Sequence, residues 1–132
     1  METENLPKSQ YISIKLVNGI IHINFNDSTE VDINVAKEIF AYSTNTIKLE
    51  NRLLLVDVRN LKLVTQEARR YFAEEDPKQT VKAIAFYSEN ILHKIIYSFF
   101  KHANNPPYPA RFFKSYEEAV HWLNQYKKAF TI

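Results

Sequence analysis

The chain has no cysteine, only one glycine, and no apolar run that approaches the roughly 20 residues of a membrane-spanning helix. Each shortage excludes something. Without cysteine there is no disulfide, no thiol nucleophile and no thiolate metal site, and a reducing cytoplasm is the expected setting. Phosphate-cradling loops and dinucleotide-binding turns need glycines where the backbone closes on a phosphate, and Gly19 alone can build neither. Charge of one sign is also missing. Seventeen basic and 15 acidic residues leave a net charge of +2, so nothing demands nucleic acid or an anionic membrane as partner. The opening METENLPKSQ has no apolar core of the signal-peptide type.

What is present is ordinary globular material. Hydrophobic and charged fractions of 45% and 24% can close a core, and 132 residues suit one domain better than two. The expected organisation is a flexible lead over residues 1–9 and a single domain over 10–132. Gly19 has a local role in Asn18-Gly19, where it supplies the positive φ of a two-residue hairpin between YISIKLV and IIHINF. In the second of these strands Ile21, Ile23 and Phe25 alternate with His22, Asn24 and Asn26, which predicts one wetter face.

A helix capped near Asp32 follows, with Val35, Ile39 and Tyr42 on one stripe, and Ser43-Thr44-Asn45 is expected to break it. Arg52 to Val58 reads as a central strand buried on both faces, because Leu53-Leu54-Leu55-Val56 is continuously apolar. After a short connector, Thr65 caps a helix that turns Ala68 and Phe72 inward. Val81 to Tyr87 is the next strand. Ser88 is the expected cap of a third helix carrying Ile91, Leu92, Ile95, Ile96, Phe99 and Phe100. Ala110 to Phe113 forms a short strand, and Ser115 with Glu118 reads as a capping box for a last helix burying Tyr116, Ala119, Val120 and Leu123. The order is β-β-α-β-α-β-α-β-α. It predicts an α/β fold with a mixed sheet of about five strands, an N-terminal hairpin and about four helices.

In open α/β sheets, ligands and partners gather beyond the carboxyl ends of the strands. Here that place holds Asp57, Arg59, Asn60 and Lys62, with Thr65, Glu67 and Arg70 on the helix that follows. Each taken singly is as well explained as a solvated strand end; together they make a candidate partner-binding surface. The four histidines, His22, His93, His102 and His121, show no ligand-like spacing, and no metal or cofactor is expected. Glu74-Glu75-Asp76 and Glu117-Glu118 are neighbours in sequence, so on a helix they diverge rather than form an acid/base couple. Arg69-Arg70 with Lys78 and Lys82 reads as a solvated surface. The wide stripe on the third helix is foremost core. Ile96, Phe99 and Phe100, extended by Tyr108 and Phe112, also outline a candidate apolar pocket or a dimer face.

The element order, the strand LLLVDVRNL with a helix opening soon after it, and the ending PARFFKSYEEAVHWL resemble small bacterial STAS-like domains. These have the fold of anti-sigma-factor antagonists, which is compared with CRAL-TRIO lipid-transfer domains. The resemblance runs from about Tyr11 to Tyr126. It implies a non-enzymatic regulatory module of the bacterial cytoplasm that docks a protein partner, such as a kinase or sensor, through the corner after the central strand. In regulatory members of that family a serine or threonine there, ahead of a glycine, is phosphorylated, which blocks binding to a kinase partner. This chain has Thr65-Gln66-Glu67-Ala68, so the resemblance implies a corner without its phospho-switch, Glu67 standing at or beside the modified position. The alternative expectation is a binder of a lipid or other small apolar ligand. A homodimer through an edge strand or the aromatic helix is a further expectation.

Overall fold

The computed structural model describes residues 9–46, 52–74, 81–101 and 106–128, with side chains left out at 44–46, 99 and 128. Strands β1 (Ile12–Val17) and β2 (Ile20–Phe25) form the hairpin, β1 antiparallel to β2 with Val17 opposite Ile20. Asn18 and Gly19 take φ of 51° and 81°, the pair of positive values that a two-residue turn of this kind requires. The turn is also clasped from outside, because the Lys127 ammonium donates to the Asn18 carbonyl. A Cβ on Gly19 would come within 3.2 Å of Lys127 Cε.

Strands β4 (Arg52–Asp57), β6 (Val81–Tyr87) and β7 (Ala110–Phe113) then add in parallel, giving the order β1-β2-β4-β6-β7. The sheet grows in one direction only. Right-handed crossovers therefore place every connecting helix on the same face. Those helices are α1 (Ile33–Thr46), α2 (Gln66–Glu74) and α3 (Ile91–Phe99). They close over Ile21, Ile23, Leu54, Val56 and Ile84. Helix α4 (Tyr116–Lys128) follows the last strand, is not a crossover, and covers the other face by setting Ala119 and Leu123 on Leu53, Leu55, Ala83 and Ala85. Leu53 to Val56 are all buried, as a strand covered on both sides must be.

Five features depart from the sequence expectation. Thr29–Val31 and Leu61–Val64 are strands, β3 and β5, paired in parallel as a separate two-stranded sheet. Segments this short show no readable periodicity, and their pairing is set by contacts such as Thr65 N–H donating to the Val31 carbonyl at 2.9 Å. Helix α1 is not broken at Ser43: its hydroxyl donates back to the Phe40 carbonyl at 3.1 Å, a bond compatible with helix, and α1 runs on to Thr46. Asn90, not Ser88, caps α3, its side chain accepting from Leu92 N–H at 2.9 Å. The stripe on α3 is only partly core, since Ile91, Leu92 and Ile95 are 67%, 62% and 48% exposed.

The fifth departure concerns the expected wet face of β2, which α4 covers. His22 is buried there, and Tyr116, expected in the core, keeps its ring partly exposed while its hydroxyl reaches inward. The Ile20 carbonyl, 3.1 Å from Nδ1, can only accept, so Nδ1 carries the proton and Nε2 accepts from the Tyr116 hydroxyl at 2.9 Å. Burial lowers the His22 pKa below its ordinary 6.5, with nearby Lys15 acting in the same direction against the bond to Ile20. At the start of α4, Ser115 accepts from Glu118 N–H as a cap should, but its hydroxyl donates to Glu117.

Candidate functional site

Two places deserve comparison: the corner after β4, and the space between the sheet and α1 to α3. At the corner, Asp57 ends β4 and Arg59 turns back onto it. The Arg59 Nη2 and Nε lie 2.6 and 3.0 Å from Asp57 Oδ2, and the Arg59 backbone N–H donates to Oδ1 at 3.0 Å. This bidentate bond raises the Arg59 pKa further above its ordinary value. The same guanidinium stacks over Tyr87, 5.0 Å from the ring centre. Tyr87 is there because it is the register partner of Asp57 across β4 and β6.

The other corner candidates are likewise engaged locally. The Asn60 amide reaches the Phe25 carbonyl at 3.5 Å, and Lys62 pairs with Glu30 at 3.3 Å. Thr65 Oγ1 accepts from Ala68 N–H at 3.2 Å, the capping role expected of it. Arg70 pairs with Glu74 one turn on, at 3.8 Å. Glu67 stands exposed in the first turn of α2. The structure thus joins Asp57 to Arg59, and ties Asn60, Lys62, Thr65 and Arg70 each to a residue outside the predicted set.

Beside this corner lies a pair that sequence reasoning missed. Ser88 Oγ is 2.7 Å from His93 Nδ1, and His93 Nε2 is 2.8 Å from the Leu61 carbonyl. A carbonyl cannot donate, so Nε2 bears the proton and Nδ1 accepts from the serine. Hydroxyl on imidazole is the opening arrangement of a nucleophilic dyad. Here Ser88 and His93 are only 1% and 8% exposed, and Ser88 also accepts from Asn90 N–H at 3.0 Å. The pair therefore pins β5 to the start of α3. Nothing in the sequence signalled it, because Leu61 and His93 are 32 residues apart.

The second place is a cavity of about 150 Å³ between the sheet and its three-helix layer. Its floor is the even-numbered side of the central strands, Leu54 and Val56 of β4 with Ile84 and Phe86 of β6. Of the five residues that the sequence offered for an apolar pocket, Ile96, Phe100, Tyr108 and Phe112 line it. The Phe99 side chain lies outside the described residues. Tyr97 joins the wall, its hydroxyl donating to the Ala110 carbonyl at 2.7 Å, and burial raises its pKa. Two lining residues that the sequence reading did not select are cationic: Arg52, 5% exposed, and Arg69. Alternation along β4 would have revealed Arg52, since it shares parity with Leu54 and Val56.

A mixed sheet in this order, with three crossover helices on one face and a fourth on the other, is the SpoIIAA-like, or STAS-like, fold. The same fold occurs in the crystal structure of an uncharacterised protein of the DUF3478 family from Shewanella loihica PV-4, described as SpoIIAA-like. That protein is 14% identical, with a TM-score of 0.57 over 90% of this chain and 99% of its own. The chain itself belongs to the family described as domain of unknown function DUF7793, whose model matches residues 13–127. No curated protein matches it. Among the described residues, no helix is long and apolar enough to cross a membrane.

Proposed function

We propose that this protein is a non-enzymatic binding module that takes a small, largely apolar ligand into the space between the sheet and the α1 to α3 layer. The observation that carries the reading is the cavity itself. Close-packed interiors leave few voids larger than a water, and an apolar void of about 150 Å³ is large enough to admit a molecule the size of benzene. The resemblance to domains compared with lipid-transfer proteins points the same way. Native mass spectrometry of freshly purified protein, together with titration by toluene, tests this. A co-purifying small molecule or saturable toluene binding is expected. A bare mass combined with no toluene binding would end the proposal.

The earlier expectation, docking of a protein partner at the corner, stands as a second reading because of one observation. Leu63 of β5, the strand that follows the corner in the chain, and Ile91 and Leu92, which open α3 after the carboxyl end of β6, are exposed. Exposed apolar side chains on segments that also carry charge are the composition of a contact surface. On this reading the charges, already paired with each other, would orient a partner, and Leu63 and Leu92 would supply the affinity. Leu92→Ser with Leu63→Ser should then release a captured partner while Arg59→Ala weakens it less. Retention of every partner by the double variant would refute it.

A further inference from the structure

We propose that the cavity selects an anionic apolar ligand, a small aliphatic or aromatic carboxylate, and that Arg52 holds its charged end. This rests on the ligand-binding reading above and adds to it the chemistry of the ligand. A carboxylate is acceptor-only, so its recognition depends on which groups of the wall can donate. The Ser43 hydroxyl donates to the Phe40 carbonyl at 3.1 Å. The Tyr97 and Tyr108 hydroxyls donate to the carbonyls of Ala110 and Phe72, at 2.7 and 3.1 Å. His93 donates to the Leu61 carbonyl and accepts from Ser88. The hydroxyl and imidazole protons of these lining residues thus face backbone, and a polyhydroxylated or neutral polar ligand would find few of them offered.

The guanidiniums differ. Each carries five N–H donors in a planar fork, so it can keep a protein partner and still present an edge to a carboxylate. Arg69 uses Nη1 on the Val64 carbonyl at 2.9 Å and is only half-buried. Arg52 is 5% exposed and belongs to the floor of the cavity. It stands at the first position of β4, opposite Val81, so it lies at the amino-terminal edge of the parallel strands. That is the end opposite the Asp57 corner. A ligand with its carboxylate on Arg52 would run its apolar part along Leu54 and Val56 toward Phe86. The volume limits that part to about one ring or a short chain, since a void of this size holds a benzene.

The test is calorimetric or NMR titration of the full chain with hexanoate, 1-hexanol and toluene at neutral pH. Hexanoate is expected to bind at least about ten-fold more tightly than hexanol, as a charge-assisted hydrogen bond to a buried group should provide. Arg52→Met should erase that preference while hexanol and toluene still bind, and Arg69→Met should leave most of it. If Arg52→Met does not fold, Arg52→Gln, which keeps amide donors without charge, should still reduce hexanoate affinity by about ten-fold. Binding of hexanol and toluene with no preference for hexanoate, or a preference that survives Arg52→Met, overturns the carboxylate inference alone. Failure of all three probes to bind removes the cavity reading and this inference with it.

Discussion

Replacing Val56 by isoleucine separates a ligand cavity from an ordinary packed core, because the two make opposite forecasts. Val56 is 6% exposed and lies on the cavity floor, between Ile23 of β2 and Phe86 of β6. A void costs roughly 24 cal/mol per Å³, so 150 Å³ sets a ceiling of about 3.6 kcal/mol on what filling could return. Isoleucine adds one methylene, worth about 0.8 kcal/mol if it enters free space. For a chain of this size that raises Tm by about 3 °C. In a core already filled, the same methylene forces strain and costs about 1 to 3 kcal/mol. Thermal melts followed by circular dichroism distinguish the two signs directly. Repeating them with toluene adds a second readout: a ligand at a hundred times its Kd stabilises the native state by about 2.7 kcal/mol, and this increment should shrink in Val56→Ile. A variant that melts lower than the parent, or gains as much from toluene, would refute the reasoning.

Three further outcomes are expected. Leu123→Ala, at a site with no exposed surface in the α4 layer, should cost about 3 kcal/mol by urea denaturation, near the middle of the range for buried leucines. Thr65→Ala removes the cap of α2 and should cost about 1 kcal/mol, with amide exchange quickening in the first turn of that helix. His22 is kept neutral by burial in the folded chain, whereas the unfolded chain protonates near its ordinary 6.5. As pH falls through that value the unfolded state takes up the proton first, so stability present above it is lost until the folded His22 also titrates. Urea midpoints measured from about pH 8 to about pH 5 should show this slope, and His22→Gln should flatten it.

The corner and the cavity were legible to different degrees. Asp57, Arg59 and Lys62 could be placed together because a strand end and the loop after it are contiguous in the chain. That Arg59 folds back on Asp57 and stacks over Tyr87 depends on the register of β4 against β6, which contiguity does not reveal. For the cavity, Ile96 and Phe100 were visible as helical spacing and Phe112 as a strand residue, but Arg52 was passed over as the start of a strand. Its parity with Leu54 was readable, while its burial depends on how the three-helix layer closes over it.

Local patterns alone decided the order of the four helices and of the five strands of the main sheet, the turn at Asn18-Gly19, the doubly covered β4 and the absence of any glycine-built phosphate site. Each follows from periodicity, a required φ, or a residue type that is missing. Tertiary structure decided the rest: the pairing of β3 with β5, the burial of His22 beneath α4, the Ser88–His93–Leu61 pin, and the exposure of Ile91 and Leu92 on a helix that reads as core. The physical reason is common to all four. Which face of a segment is covered depends on partners distant in sequence, and a sheet that grows in one direction assigns three helices to one side and leaves α4 to close the other.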